Sequence, residues 1–412
     1  MKTLVWLIVG AFVIVFVLTT FIPYSPARVT AEAYFSEREI DVGLRYAFER
    51  RFFMWASIAL ELGLLMTLGM TGLARRWANR FLAWTGQRSI LAALGVGLVY
   101  LTLHEILQLP IGIGRYYHAK SWGMANYGLD GWLYDHFLTW GLTLASGAAI
   151  VSGLYALLIW FPRTWWLLAS LGLGAFGVVL TFLTPILFAP LFNDFTPLSQ
   201  TQWKDQQPRM QSLIAQAGVT VQEILVMNAS RQSNHTNAYF TGFGSTRRIV
   251  LYDNLLKKHT PDEIESILAH ELGHWRHDHI VQGILLGLFA SIFGLFLLHC
   301  VLRWAIGRAP WRLASIADPA GLPLILLLAY LGSWVAEPVG YAISRHFERQ
   351  ADQASLDLAK HPDAFIECEK KLARDNFMNV APTPWNVWLF STHPPTVERI
   401  RMAEEWRKRE GQ

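Results

Sequence analysis

The sequence has 412 residues, of which 53% are hydrophobic and 16% are charged, whereas about a quarter of the residues in a soluble domain are charged. The formal net charge of +4 is small and the arginines are scattered, which argues against nucleic acid as a partner. The two cysteines, Cys300 and Cys368, lie far apart, so a disulfide framework and a cysteine-based zinc site are excluded. Any metal ligands must therefore be His, Asp or Glu side chains.

Long apolar segments predict a protein that crosses a membrane several times, because a membrane-spanning helix needs about 20 mostly apolar residues. The first segment begins like a signal peptide, with Lys2 and a candidate cleavage site at residues 31–33. Its apolar run is too long for a usual signal peptide and ends well before that site, so we interpret it as a retained anchor helix. The seven predicted spans are residues 4–23, 55–73, 89–109, 137–161, 165–189, 281–304 and 322–343.

The connections between the spans define the expected domain organisation. Residues 1–189 carry the first five spans, residues 190–280 form a long polar insertion, residues 281–343 carry two further spans, and residues 344–412 form a polar tail. Two spans separate the insertion from the tail, so both must lie on the same side of the membrane. We therefore expect them to form one small split α+β domain.

The strongest signal for chemistry is His270, Glu271 and His274, an HExxH pattern. It lies in a predicted helix that begins with Thr260 as N-cap and Pro261 in the first turn. Residues four apart share a helix face, so both imidazoles can bind one metal ion, and Glu271 is then placed to take a proton from water. Because short patterns also occur by chance, the alternative is a polar helix end before a span.

A third ligand is needed to complete such a site. One class of zinc protease uses a histidine six residues after the second, but Ile280 occupies that position, and we interpret His277 and His279 as rim residues of an interface or cavity. The other known solution is a glutamate from a separate helix. Glu348 and Asp352 lie one turn apart after the last span, so that one can bind the metal while the other orients an imidazole. The alternative is a solvated helix end. Three protein ligands leave one position open, as in catalytic sites.

Two residues in loops are candidates for stabilising the reaction's intermediate. Attack on a peptide carbonyl produces a negative oxygen, which needs hydrogen-bond donors aimed at it. Asn237 and His393 can supply such donors, although their loops have no other distinguishing pattern.

A β-hairpin is also predicted in the insertion. Residues 238–242 and 248–252 are rich in aromatic and β-branched side chains, with residues 242–245 as the turn. An edge strand beside the metal helix can hold a peptide through main-chain hydrogen bonds. The alternative is a purely structural hairpin. The candidate substrate-binding residues are Ala238, Phe240, Val250 and Leu251.

The chain resembles the type I CAAX prenyl endopeptidases, a family of integral-membrane zinc proteases. The similarity covers the whole catalytic half, and it covers the spans by their number and spacing. The matching stretches, in the family's order, are residues 189–198, 233–242 and 248–253, the HExxH segment, the helix of Glu348 and residues 393–395.

This resemblance implies a mainly α-helical fold with seven transmembrane helices around a water-filled chamber, closed at one end by the zinc site. Polar residues within the spans would face that chamber or, taken singly, form hydrogen bonds between helices; they are Glu61, His104, Glu105 and Glu337. One Zn²⁺ per chain would be bound by His270, His274 and Glu348. The other implied roles are Glu271 as general base, Asn237 and His393 at the transition state, and Asp352 and Arg399 as supports.

The sequence thus predicts a monomeric zinc metalloendopeptidase that contacts membrane lipid and cleaves peptide or protein substrates, possibly lipid-modified ones in the manner of CAAX prenyl proteases. The alternatives are a quality-control protease for misfolded membrane proteins and a seven-span transporter or receptor with a structural metal; Glu271 argues against the latter, because a structural site needs no general base.

Two departures from the eukaryotic pattern bear on localisation. Residues 409–412 lack a dilysine-type retrieval signal and the loop 114–136 is only loosely similar, which suits a bacterial member in the inner (plasma) membrane. Arginines are frequent in residues 24–54, on the catalytic side, but also in residues 74–88 on the other side. We favour a cytoplasmic catalytic domain.

Overall fold

The computed structural model describes residues 2–21, 27–242 and 247–411, and most of these residues are helical. Four short strands form one sheet: β1 (Phe195–Pro197), β2 (Glu223–Met227), β3 (Ala238–Thr241) and β4 (Arg248–Tyr252). The α-helices are α1 (Lys2–Thr20), α2 (Ala27–Ala31), α3 (Glu37–Met70), α4 (Leu73–Trp84), α5 (Ser89–Ser121), α6 (Leu129–Trp160), α7 (Trp165–Leu183), α8 (Gln207–Gln216), α9 (Asp253–Lys258), α10 (Pro261–Arg276), α11 (His279–Ala305), α12 (Leu322–Ala359), α13 (Pro362–Asp375), α14 (Pro384–Phe390) and α15 (Thr396–Glu410).

Six helical segments in the described part of the chain are long and apolar enough to cross a membrane: α3, α5, α6, α11, Trp165–Leu191 and Pro319–Ala359. Their apolar surfaces are largely uncovered by protein, and none of the most apolar window of Trp165–Leu191 is buried. Apolar surface of this extent is what lipid covers. The first predicted span, residues 4–23, overlaps α1, whose apolar part Val5–Thr20 is shorter than the six, while residues 22 and 23 lie outside the described residues. The structure therefore gives six candidate spans where the sequence predicted seven.

Helix α12 runs without a break through the predicted domain boundary at residues 343 and 344. It is a single helix of 38 residues that contains both the apolar segment and the polar segment after it. Loss of apolar character does not end a helix, and no glycine or proline follows Gly340 before Lys360, the left-handed C-cap residue. Glu348 and Asp352 therefore lie on the direct continuation of a candidate span.

The sheet has the strand order β1-β2-β4-β3. Strand β2 is parallel to β4, and β3 pairs with β4 antiparallel, with Ala238 opposite Leu251. The two predicted strands are thus confirmed as a pair, while residues 243–245 of the predicted turn lie outside the described residues. Strand β3 is at the edge of the sheet and β4 is inside it.

Helix α10 begins where the sequence predicts, because Thr260 and Glu263 form a reciprocal capping box around Pro261. Its apolar face, including Leu268 and Leu272, packs in one core with Ile249 and Leu251 of β4. This packing fixes the HExxH helix against the sheet.

The C-terminal helices pack with α12 and with the residues around the beginning of α3. Ile400 of α15 and Leu356 of α12 share a core with Ala31 and Ile40, and all four are almost fully buried. The segment before the long helix α3 and the C-terminal tail therefore lie together with α12, which agrees with the expectation that they share one side of the membrane.

Candidate active site

The site is formed where α10 crosses α12 at close range. A Cβ atom on Gly273 would lie 2.9 Å from the Cα of Ala351 and 2.9 Å from the Cβ of Ala354. Real side chains do not approach so closely, so glycine is required for the two helices to meet at this point. The crossing places the HExxH residues opposite Glu348.

The spacing of the three candidate ligands fits a metal ion. The Nε2 atoms of His270 and His274 are 3.1 Å apart, and they lie 3.3 and 3.5 Å from the carboxylate oxygens of Glu348. Ligand atoms bound to tetrahedral zinc at about 2.0–2.2 Å are roughly 3.3–3.6 Å from one another. In addition, Oε2 of Glu348 is buried without a hydrogen-bond partner among the described residues. A cation at this point would satisfy that oxygen.

A chain of charged groups stands behind His270. Its Nδ1 lies 2.8 Å from Oδ1 of Asp352, which leaves Nε2 directed at the ligand cluster. Arg399 binds Asp352 through two nitrogens and Glu369 through the third, at 2.8 Å. Burial opposes a charge on His270, but the carboxylates of Asp352 and Glu348 beside it raise its pKa to about 10. Surroundings that retain a proton so strongly also attract a metal cation.

A neutral chain stands behind His274. Its Nδ1 is 2.9 Å from Nδ1 of His279, whose Nε2 is 2.9 Å from the amide oxygen of Gln350. His279 also stacks on Phe347 with 4.2 Å between ring centroids. Burial and the charge on His270 lower the pKa of His274 to about 3, so this imidazole stays neutral, the form that binds metals. If His274 donates to His279 and His279 to Gln350, Nε2 of His274 is free for the metal.

Sequence reasoning missed two of these supports. His279 was interpreted as a rim residue; it lies outside the described cluster of His270, His274 and Glu348, but it contacts the candidate ligand His274. Glu369 was not singled out; it is buried, and burial raises its pKa to about 7 although Arg399 counteracts the shift. No sequence pattern marks either residue, because each acts through a partner from another helix.

Glu271 lies beside the ligand cluster in the arrangement needed for proton transfer. Its Oε2 accepts a hydrogen bond of 3.2 Å from the backbone N–H of Phe240 in β3. Burial raises the pKa of Glu271 to about 7, with the charge on His270 acting in the opposite direction. A carboxyl group with a pKa near neutrality can both accept and return a proton.

Asn237 and His393 lie at the same site. Both line a small cavity of about 130 Å³ together with His270, Glu271 and Arg399. Nε2 of His393 is 3.3 Å from Oε2 of Glu348, and its Nδ1 is paired with the hydroxyl of Thr392. The structure thus brings together the residues predicted for the metal, the base and the transition state.

The predicted substrate-binding residues separate into two groups. Ala238 and Phe240 belong to the edge strand β3, next to Glu271. Val250 and Leu251 belong to the inner strand β4, which is hydrogen-bonded on both sides, and their side chains are 2% and 0% exposed. These two residues are core residues rather than substrate contacts, since a peptide cannot reach them.

Polar residues within the candidate spans pair with one another. Glu61 of α3 is 2.6 Å from both the hydroxyl of Tyr100 and Nδ1 of His104 on α5. Glu105 pairs with His136 on α6, and Glu337 accepts a hydrogen bond from Tyr341 within α12. The contacts of Glu61 and of Glu105 are hydrogen bonds between helices, as expected for polar groups at membrane depth.

Comparison with known proteins identifies the family. A model of peptidase family M48 matches residues 200–407, half of the chain, and a model of the CAAX prenyl protease N-terminal region with five membrane helices matches residues 30–194. The chain is 27% identical over 370 residues to the uncharacterized metalloprotease YhfN of Bacillus subtilis, covering 89% of this chain and 86% of YhfN. It is also 27% identical over 405 residues to the probable CAAX prenyl protease 1 of Schizosaccharomyces pombe, covering 93% and 84% of the two chains.

The fold is similar to the crystal structure of S. mikatae Ste24p, with a TM-score of 0.83 at 20% sequence identity, over 96% of this chain and 97% of that one. The family models, the apolar helices and the crossing of the HExxH helix with α12 agree with one another. The chain therefore belongs to peptidase family M48 and is a multi-pass membrane metalloendopeptidase.

Proposed function

We propose that His270, His274 and Glu348 bind one Zn²⁺ ion and that Glu271 is the general base of peptide hydrolysis. The observation that carries this proposal is the triangle of ligand atoms 3.1 to 3.5 Å apart, closed by a buried oxygen of Glu348 that lacks a hydrogen-bond partner in the described part of the chain. Zinc would supply a Lewis acid for the peptide carbonyl and make water a nucleophile at neutral pH.

The protein's own residues account for the remaining parts of the reaction. Glu271, fixed by the Phe240 N–H, takes the proton of the attacking water and returns it to the leaving amine. His393 and Asn237, which line the same cavity, donate hydrogen bonds to the developing oxyanion. Asp352 and Arg399 hold His270 in the orientation that directs Nε2 at the metal.

We infer that the substrate is a peptide bound as an additional strand along β3. This edge strand lies beside Glu271 and has no β-strand neighbour on its outer side in the described sheet. Main-chain pairing at such an edge is compatible with many side chains. The names of relatives such as CAAX prenyl protease 1 support lipid-modified peptides as the natural substrate class.

We also propose the membrane arrangement. Helix α1 adds a span to the six candidates, which makes seven. It packs on the other helices, since the ring of Phe12 lies 5.0 Å from that of Trp334 and the backbone oxygen of Thr19 accepts a hydrogen bond from Asn386. Residues 190–280 and 344–412 form one catalytic unit on the cytoplasmic side of a bacterial inner membrane, and the chain acts as a monomer. The arginines in residues 24–54 and the relative in Bacillus subtilis support this orientation and source.

The test is cleavage of a farnesylated CAAX peptide and its unprenylated twin by the purified protein in detergent. Zinc-dependent cleavage is expected for the wild type, and Glu271→Gln, which preserves shape, is expected to lose about 10²- to 10⁴-fold in rate while keeping one zinc per chain. Activity that survives in Glu271→Gln contradicts the proposed base. Equal cleavage of the two peptides contradicts a lipid-selective substrate and favours selection by the main chain alone.

A further inference from the structure

A buried arginine lies on α12 one turn before Glu348. Arg345 is 8% exposed, and its guanidinium forms no ion pair with a carboxylate in the described part of the chain. Residues three apart are neighbours on the surface of a helix, so Arg345 and Glu348 lie on the same face of α12. A buried charge without an acidic partner is costly, so the groups that Arg345 does bind indicate what it stabilises.

Arg345 binds the end of α14. Its Nη1 donates hydrogen bonds to the backbone oxygens of Val387 at 2.9 Å and Ser391 at 2.7 Å. Val387 lies in the last turn of α14 and Ser391 is the C-cap residue, where basic side chains can bind the carbonyl groups of a helix end. In the first turn, Asn386 donates to the backbone oxygen of Thr19 at 3.2 Å. Helix α14 is therefore fixed to α12 by its end and to α1 by its beginning.

The imidazole of His393 has less support from side chains than the two candidate histidine ligands have. Its side chain is 54% exposed, and the partner of its Nδ1 is the hydroxyl of the neighbouring residue Thr392, which is exposed as well. The two histidine ligands, by contrast, contact Asp352 and His279, which are both buried. The position of His393 must therefore be fixed mainly by the backbone.

The backbone is anchored on both sides of His393. Arg345 holds Ser391, two residues before it. The two residues that follow are prolines, which restrict the main chain, and Pro394 is buried. Between these anchors, Nε2 of His393 lies 3.3 Å from Oε2 of Glu348. Removing the anchor at Ser391 would release the segment on the side that precedes His393.

We propose that Arg345 is a positioning residue, which holds residues 391–393 so that His393 faces Glu348 and the catalytic cavity. This inference rests on the proposed role of His393 at the transition state. Because Arg345 and Glu348 lie within one turn of the same helix, the anchor of His393 and a metal ligand keep a fixed separation. A hydrogen-bond donor stabilises a developing oxyanion most when it is already held in place. Arg345 provides this placement through the backbone.

A double-mutant cycle separates the positioning of His393 from a purely structural role. Arg345→Met keeps the length of the side chain but removes its hydrogen-bond donors. With the peptide substrate, kcat is expected to fall about 10- to 100-fold, the scale of a misplaced catalytic group, while KM and the zinc content stay unchanged. In the His393→Ala background the same substitution should have little further effect, because no imidazole is left to position. An equal loss of kcat in both backgrounds overturns the inference.

Arg407→Met is the matched control, because Arg407 is an arginine of α15 that pairs at the surface with Asp363. This variant should keep the kcat of the wild type. Arg345→Lys is the second variant if Arg345→Met does not fold. It retains a charged donor, so its loss of kcat is expected to be smaller and again confined to the protein that contains His393.

Hydrogen exchange measured by mass spectrometry tests the anchor without catalysis. The backbone amides of residues 387–393 are expected to exchange faster in Arg345→Met than in the wild type, while those of α10 keep their rates. Unchanged exchange in residues 387–393 overturns the inference. Faster exchange in α10 accompanied by loss of zinc also overturns it, because this result indicates a general structural role. Wild-type protein that cleaves no peptide would contradict the peptidase proposal, while hydrogen exchange would still decide whether Arg345 holds this segment.

Discussion

His270 and His274 lie one turn apart on α10, but the groups that hold them differ in charge. His270 contacts Asp352, behind which Arg399 and Glu369 continue a buried chain of alternating charge. His274 contacts His279, behind which lies a neutral amide. Both partners fix the orientation of an imidazole, but only the first adds negative charge near the metal. A supporting residue can thus do two separate things: it can orient a metal ligand, and it can raise the affinity of that ligand for a cation.

The largest effect is expected from removing the charge behind His270. Asp352→Asn preserves the size of the side chain but leaves Arg399 with Glu369 as its one buried acidic partner among the described residues. Zinc affinity is expected to fall about 100-fold, the upper end of the range for such supports, as measured by competition with a chromogenic chelator. Asp357→Asn, an exposed change on the same helix, is the control. Equal losses in the two variants would mean that the charge behind His270 has no special role.

The next largest effect is expected from separating α10 and α12, which disturbs the supports of His270 and of His274 together. Gly273→Ala places a methyl group 2.9 Å from the Cα of Ala351, so that α10 and α12 must separate. The free energy of unfolding is expected to fall by about 1–3 kcal/mol, with zinc content reduced as well. Tryptophan fluorescence during heating measures the stability. Gly287→Ala is the control, because a Cβ there meets no atom within 4 Å; a similar loss in this variant would contradict the close-crossing argument.

A smaller effect is expected behind His274. His279→Gln removes an aromatic support without removing a charge, so zinc affinity should fall only about tenfold, the lower end of the same range. The chelator competition used for Asp352→Asn gives a direct comparison. His277→Gln changes a neighbouring histidine that stacks on His279 but contacts no candidate ligand, and it should have little effect. A larger loss for His279→Gln than for Asp352→Asn would reverse the proposed order.

The smallest effect concerns a buried histidine that has neither kind of support. Both ring nitrogens of His259 lack hydrogen bonds within the described residues, although Nδ1 lies 3.0 Å from a carboxylate oxygen of Glu263. Burial lowers the pKa of His259 from its ordinary value of 6.5, with the charge of Glu263 acting in the opposite direction. The unfolded chain therefore binds the proton more readily, and stability should decrease as the pH falls below about 6.5.

Thermal unfolding between pH 7.5 and pH 5 measures this dependence. The melting temperature of the wild type is expected to fall toward the acid end, and His259→Gln should show a shallower fall because it cannot take up the proton. Parallel curves for the two proteins would assign the acid sensitivity to other groups.

Local patterns in the sequence predicted the parts of the site that depend on neighbouring residues. The Thr260 cap, the first turn at Pro261 and the i, i+4 spacing of His270 and His274 fixed the metal-binding face of α10 before any tertiary contact was known. The strands β3 and β4 were likewise predicted from their composition. In each case the residues that determine the structure lie within one helix or one hairpin.

Features that depend on distant pairing could not be predicted. The parallel pairing of β2 with β4 makes β4 an inner strand and buries Val250 and Leu251. No local pattern in β4 predicts its pairing with β2. His279 supports His274 only because Gln350, 71 residues away in sequence, fixes its ring. Similarly, the close crossing of α10 and α12 brings Gly273 against Ala351, and no local pattern predicts that contact.

The length of α12 has a mechanical consequence. At 1.5 Å per residue its 38 residues extend about 57 Å, nearly twice the hydrocarbon thickness of about 30 Å. The helix is therefore longer than a span requires, and its polar part after the apolar segment carries Glu348 and Asp352. The packing of α12 against α10 therefore sets the distance of Glu348 from His270 and His274.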